Sequence, residues 1–410
     1  MSYDVIIVGG GPGGSTLASV LALRGKSVAL LEAERFPRFH IGESLLPMSC
    51  ELFDELGLRE RIEARFLRKY GANFFCSESG RTNEYLFTDA YQRRFHHAYQ
   101  VPRADFDALL LERAGELGAE VRQEWTASDV VFDGERAVGI RARPVADAAG
   151  TVELRARFVV DATGRSTLLA SRFGVKRRLP ELDQSAMFGH YRDVPRGNGQ
   201  AEGHIWVVVF RHGWFWFIPF KDGRTSVGVV VSRAWMKERR AGETLEAFKD
   251  RTFAESPVAR ELMAKSVRLS EVGTTADFSY SVSRFAGDGW LCVGDACGFI
   301  DPLFSTGAHL AIKGAHLAAD TIETALARPD EERAAGASYE EQIRSAAGLF
   351  LGAVQSFYRG ELRSLLFEEP QRKPIRQLIT SMLSGDVFHA PGKAPAWVSY
   401  LRQQYPARFA

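Results

Sequence analysis

The chain of 410 residues carries 52 Lys and Arg against 51 Asp and Glu, a formal net charge of +1, with 45% hydrophobic and 25% charged residues. Near neutrality excludes binding to nucleic acid or anionic membrane through a general basic surface. With only 4 Cys in this length the chain is no disulfide scaffold.

The start, Met1-Ser2-Tyr3-Asp4, runs into the short apolar Val5-Ile6-Ile7-Val8 and then glycine. A secretory leader has a basic start, a longer apolar core and a small-residue cleavage site. No stretch approaches the roughly 20 apolar residues of a membrane span. A cytoplasmic protein is expected. Cys50, Cys76, Cys292 and Cys297 lack zinc-site spacing and read as small buried residues. Gly is the unusual count, at 38 against 16 Pro. In a chain without repeats, such a surplus marks places where backbone passes close to something.

Asp4–Val8 is nearly all apolar, as in a strand buried on both faces. A helical run from about Gly13 to Leu23 and a second buried strand, Val28–Glu32, complete a βαβ unit. Residues 48–65 have a helical pattern, and 70–87 hold short aromatic-rich strands. Arg103–Leu117 is amphipathic, with Phe106, Leu109, Leu110 and Ala114 on one face. Short strands fill 119–160 and end in the buried Phe158–Asp161. Strand-type segments Trp206–Phe210, Gly213–Pro219 and Thr225–Ser232 precede a helical 242–263. Trp290–Val293 is a buried strand running into Gly294-Asp295, and Gly307 opens a long helix to about Ala327.

The interleaving predicts an α/β fold with discontinuous domains. Residues 1–70, 95–180 and 285–330 make a doubly wound, Rossmann-like, cofactor-binding domain. Residues 71–94 and 181–284 make an antiparallel β-sheet substrate domain inserted into it. Residues 331–410 make a helical C-terminal cover.

Gly9-Gly10-Gly11-Pro12-Gly13-Gly14 holds G-x-G-x-x-G at Gly9, Gly11 and Gly14. It follows a buried strand, opens a helix, and has Glu32 at the end of the next strand, which is the context a dinucleotide site needs. Glycine lets backbone N–H groups approach a pyrophosphate at the helix N-terminus, where the dipole favours anions. Glu32 suits ribose hydroxyls, and its charge disfavours a 2′-phosphate. Val159-Val160-Asp161-Ala162-Thr163-Gly164 and Cys292-Val293-Gly294-Asp295-Ala296 are further acid/glycine clusters at strand ends. Arg103 sits at a helix start.

With these motifs in this order, residues 1–330 resemble the flavoprotein monooxygenases of the p-hydroxybenzoate hydroxylase type. The resemblance implies FAD, its ADP half on Gly9, Gly11, Pro12, Gly13 and Gly14 with Glu32. It implies Asp161 and Gly164 near the cofactor, Asp295 on the ribityl chain, and Arg103 approaching the FAD. No second dinucleotide fingerprint is present in the sequence, which fits reduced FAD supplied by a separate flavin reductase.

His212–Pro219 contains W-x-W-x-I-P, and on a strand Trp214 and Trp216 share a face. A paired aromatic packing element accounts for that much. The string also resembles the signature of flavin-dependent halogenases. Phe299–Gly307 fits their F-x-x-P-x-x-S-x-G pattern, Ile41–Pro47 resembles their G-E-S segment, and Arg68–Phe74 resembles the stretch holding their catalytic lysine. The resemblance implies Lys69 and Ser305 as catalytic residues, and Ser44, Pro302 and Gly307 beside the flavin. It implies halide, chloride or bromide, on the Thr306 and Gly307 amides, with Trp214 and Trp216 parting flavin from substrate. In such enzymes reduced FAD and oxygen turn halide into hypohalous acid, which Lys69 would hold as a cation or as an N-haloamine.

Tryptophan halogenases carry glutamate just before the Ser-x-Gly element, where this chain has Phe304. The chain is more similar to phenol and pyrrole halogenases, whose aromatic substrates are electron-rich and are free or held on acyl or peptidyl carrier proteins. The rival expectations are an FAD-dependent hydroxylase or dehydrogenase without halide, and a geranylgeranyl-reductase-like enzyme on isoprenoids. His309 and His316 share a helix face, a spacing read as packing or a satisfied polar pair rather than a metal site.

Overall fold

The computed structural model describes residues 2–92, 94–147 and 149–389. The first sheet is built on the buried strand Ser2–Val8, which lies parallel to both Val28–Glu32 and Val152–Asp161. Outward on one side comes Glu120–Gln123, and on the other Trp290–Cys292, both also parallel to their neighbours. Ala286–Gly287 closes that edge, and the hairpin Trp125–Asp133/Arg136–Pro144 hangs from Val152–Asp161. A parallel sheet must be covered on both faces, so its strands are apolar throughout. Val5, Ile6, Ile7, Ala29, Leu30, Leu31, Val159 and Val160 are all fully buried.

The helix Pro12–Leu23 packs against Arg103–Glu116 and Thr306–Ala327. Phe106, Leu109, Leu110 and Ala114 form the buried face of Arg103–Glu116, as their spacing requires. Parallel strands deliver all their C-terminal ends to one edge. Val8, Glu32, Asp161 and Cys292 therefore end side by side, where doubly wound sheets carry their ligands.

The second sheet runs in the order Val267–Arg268, Gln184–Arg192, Thr225–Ser232, Gly213–Pro219, Ile205–Phe210, Gly71–Cys76 and Thr82–Leu86. Gly273–Ala276 also pairs with Gln184–Arg192. Its pairings are antiparallel except one: Ile205–Phe210 lies parallel to Gly71–Cys76. Those two strands come from distant parts of the chain, so no hairpin dictates their relative direction.

The alternation along Gly213–Pro219 splits its side chains between two cores. Trp214, Trp216 and Ile218 face the first sheet, whereas Phe215 and Phe217 pack with Phe248 and Phe253 of Leu245–Ala254. Beyond Thr306–Ala327 the chain forms helices Glu332–Arg359, Glu361–Leu366 and Lys373–Leu383. The end of the expected helical cover, 390–410, lies outside the described residues. Among the described residues no helix is long and apolar enough to cross a membrane.

Candidate active site

A cavity of about 720 Å³ opens at the strand ends and extends between the two sheets. At one end stands the glycine turn. Gly9 has φ +111, and a Cβ on it would overlap the Ala162 carbonyl; a Cβ on Gly14 would overlap the Gly9 carbonyl. These two glycines are required by the tightness of the turn itself. Gly11 differs: a Cβ there would meet nothing nearer than an Arg38 nitrogen, at 3.8 Å, so this glycine leaves space open. Gly11 also precedes the helix with no side-chain cap, leaving the first N–H groups free. Pro12 and Gly13 line the same wall.

Glu32 lines the cavity with its carboxylate already engaged. Its Oε2 accepts from the Gly10 N–H at 2.7 Å and its Oε1 from the Glu34 N–H at 2.8 Å. Arg103 is held by a two-pronged pair to Asp107, at 2.7 and 2.8 Å, and donates to the Ile41 carbonyl at 3.0 Å. Asp107, fully buried, also accepts from Arg38 at 3.0 Å. One carboxylate thus fixes two cavity-lining guanidiniums, Arg38 beside Gly11 and Arg103 further in.

Asp161 does not line the cavity. Its carboxylate is spent on its own loop, accepting from the Thr163 N–H, the Thr163 hydroxyl and the Leu169 N–H. The loop it shapes, Ala162-Thr163-Gly164, is what faces the cavity. Asp295 lines the cavity directly, and no hydrogen bond from a described side chain reaches its carboxylate. Burial pushes this carboxyl up to about 6, against the opposing pull of Arg103 and Arg165.

The middle wall is made by Trp214 and Trp216, both buried, with ring centroids 5.9 Å apart. Trp216 Nε1 donates to the Ser226 hydroxyl at 3.1 Å, and its ring lies across the cross-strand Gly228, where a Cβ would overlap it. Trp214 Nε1 donates to the Tyr358 hydroxyl at 3.1 Å.

The loop that opens the long helix lines the same cavity. Ser305 occupies the left-handed region at φ 56, ψ 34, and no side chain caps the helix Thr306–Ala327. A non-glycine residue in this region is held there by its surroundings and marks sites where geometry matters. Pro302, Ser305, Thr306 and Gly307 line the cavity. A Cβ on Gly307 would lie 3.7 Å from Phe299 and 3.9 Å from the Asp295 carboxylate.

Lys69 is 2% exposed and does not line the cavity; it stands one residue behind the wall. Leu67–Lys69 pairs with Ala98–Gln100, and Gln100 bridges to Ser44. This short ladder brings Lys69 Nζ to the Ser44 hydroxyl at 2.9 Å and the Leu45 carbonyl at 3.1 Å. Ser44 in turn lines the cavity. Burial alone pulls the Lys69 ammonium down to about 7.

Arg38, Asp107, His190 and Tyr358 lie outside the motifs, whereas Glu43 is the acid of the G-E-S segment and Asp301 an unspecified position within Phe299–Gly307. Glu43 is nearly fully buried and accepts from His190 Nε2 at 2.9 Å, a pairing across distant segments. His309 is buried between the Ser49 hydroxyl, at 2.9 Å, and the Gly385 carbonyl, at 2.9 Å. Burial pulls it down to about 3, so it is a neutral packing residue. His316 lies 3.3 Å from Glu55.

The family described as FAD binding domain matches residues 2–347. A 1H-pyrrole-2-carbonyl-[peptidyl-carrier protein] chlorinase of Pseudomonas fluorescens is 33% identical over 424 aligned positions, covering 94% of this chain and 90% of the relative. The chain belongs to the flavin-dependent halogenases. A tryptophan 2-halogenase of Chondromyces crocatus is 36% identical, over 88% of this chain and 69% of its own length. The solved structure of the flavin-dependent brominase Bmp2 superposes with a TM-score of 0.87 at 29% identity, over 100% of both chains. This halogenase therefore matches in fold and length an enzyme that uses bromide and is similar in sequence to one that uses chloride.

Proposed function

We propose that this halogenase uses FAD, oxygen and chloride or bromide to halogenate an electron-rich pyrrole or phenol ring, free or held on a carrier protein. The observation that carries the reading is a conjunction in one cavity. A glycine turn, an uncapped helix start, two tryptophans and the Ser44 partner of a buried lysine all face the same space.

The residues present fit FAD. Gly11 leaves an open cradle beside free helix N–H groups and Arg38, suited to a pyrophosphate. Asp295 offers an unengaged carboxylate for hydroxyls, and Gly164, Arg103, Ser44 and Pro302 frame the remaining space. Glu32 reaches ribose from a carboxylate already fixed by Gly10 and Glu34. Asp161 serves by shaping the loop behind. When bound, reduced FAD supplies, with oxygen, the oxidant that converts halide to hypohalous acid. A separate flavin reductase delivers the reduced form.

The free amides of Thr306 and Gly307 head a helix of 22 residues and favour an anion there. The left-handed turn at Ser305 starts the helix against the cavity, and Gly307 keeps the approach clear. Trp214 and Trp216 exclude water and keep arene and flavin apart. Lys69, with its pKa near 7, is divided between ammonium and amine at neutral pH. As ammonium it donates a hydrogen bond to hypohalous acid and orients the halogen for electrophilic substitution. The Nζ proton leaves with the hydroxide as water, and the ring proton is lost to solvent.

The test supplies protein, FAD, a flavin reductase, NADH and oxygen with chloride or bromide. Pyrrole-2-carbonyl thioester on a peptidyl carrier and free phloroglucinol serve as arenes. Product masses should show halogen and vanish without halide. A hydroxylated product formed equally well without halide would overturn the proposal.

A further inference from the structure

Trp214 and Trp216 are anchored differently. Trp216 donates its indole N–H to Ser226 on the adjacent strand of its own sheet. Trp214 donates out of the sheet, to Tyr358 near the end of the helix Glu332–Arg359. An indole nitrogen only donates, and a phenol has one proton to give. Tyr358 spends that proton on Asp301 Oδ2, at 3.0 Å. The other oxygen, Asp301 Oδ1, accepts from the Leu303 N–H at 2.9 Å and so starts the turn Pro302–Phe304 that leads into Ser305. Asp301 is 1% exposed, and burial pushes its carboxyl up to about 6. Above that pH it is an ionised acceptor, and the bond from Tyr358 is of the strong, charge-assisted kind.

We propose that Tyr358 and Asp301 are a positioning pair that locks the Trp214 indole to the loop Pro302–Gly307. Tyr358 thereby sets how much of the oxidant made on one side of the wall reaches the arene on the other. The proposal rests on the halogenase reading above. Each link is a hydrogen bond between different elements: sheet to helix, helix to loop. Without Tyr358 oxygen, the buried indole N–H and Asp301 Oδ2 both lose their partner, and leaving such groups unpaired is unfavourable. The indole then tilts toward another acceptor, and the turn before Ser305 loosens.

The test is Tyr358→Phe, which keeps the ring, with Trp214→Phe and the double variant alongside. Two readouts are taken. Ultraviolet resonance Raman of the protein without FAD reports hydrogen bonding at indole nitrogen. Halogenated product and hydrogen peroxide per reduced flavin consumed are measured with the carrier-bound pyrrole and with phloroglucinol. Tyr358→Phe should weaken the Raman signature of one bonded indole. It should lower the ratio of product to peroxide about tenfold, with flavin oxidation within about twofold of wild type. In the Trp214→Phe background the same change should add little, because Tyr358 acts through Trp214.

An unchanged Raman signature or an unchanged ratio in Tyr358→Phe overturns the positioning role, as does full additivity with Trp214→Phe. A wild-type protein that makes no halide-dependent product overturns the halogenase reading instead, and the Raman arm still decides whether the pair holds the indole.

Discussion

At the scale of one residue, Lys69 is an ammonium buried at a cost to stability. Its ammonium has a reference pKa of 10.5 and is pulled to about 7 by burial. The unfolded chain therefore holds more protons than the folded one between pH 7 and 10.5. Stability from this group rises with pH across that window, and its destabilisation is fully present below pH 7. The size is a few kcal/mol, offset in part by the bonds to Ser44 and Leu45. Lys69→Met should raise the melting temperature at pH 6 and flatten its rise between pH 7 and 10. An unchanged pH dependence of melting in Lys69→Met would show that Lys69 is charged in the folded chain. The sequence makes Lys69 visible only through its neighbours in Arg68–Phe74, since any lone lysine is most simply a solvated one. Its burial arises from a ladder in which Lys69 pairs with Ala98 and Gln100 with both Leu67 and Ser44, and nothing local encodes that pairing.

Among elements, the strand Gly213–Pro219 divides aromatic residues by parity, which is why W-x-W was legible as two rings on one face. What fixes those rings was not legible. Trp216 lies flat because its cross-strand partner is Gly228. Gly228→Ala places a methyl where the ring lies, so the ring must move. We expect a loss of about 1–3 kcal/mol in unfolding free energy by denaturant titration. A fall in product formation should accompany it at temperatures where the variant stays folded. A variant with wild-type stability and product would show that the ring has room to rearrange. Elsewhere on the cavity lining, Ser305 holds a left-handed conformation that glycine adopts freely. Ser305→Gly should leave the melting temperature equal or higher, yet lower the product rate by removing the hydroxyl. An unchanged or faster rate in that variant would remove Ser305 from the catalytic set. The Trp214–Tyr358–Asp301 links belong to this scale too, and they join residues that only the folded chain brings together.

For the whole molecule, the βαβ start and the discontinuous parallel sheet follow from apolar runs ending in glycine and acid, a strong local pattern. The seven-segment order of the second sheet, with one parallel pair between Ile205–Phe210 and Gly71–Cys76, has no such pattern behind it. The glycine surplus resolves into particular duties: Gly9 and Gly14 for the turn, Gly11 for open space, Gly228 for a tryptophan ring and Gly307 for the mouth of a helix. A net charge of +1 gives little long-range steering, so any carrier protein must be met by a local surface.

Use of the oxidant at Lys69 is the step on which the proposed function turns. Its most direct test compares wild type with Lys69→Ala in the reductase-coupled reaction, following halogenated product and hydrogen peroxide together. Product should fall by about 100-fold or more while reduced flavin is still consumed and peroxide appears. Halogenated product at the wild-type rate in Lys69→Ala would contradict it.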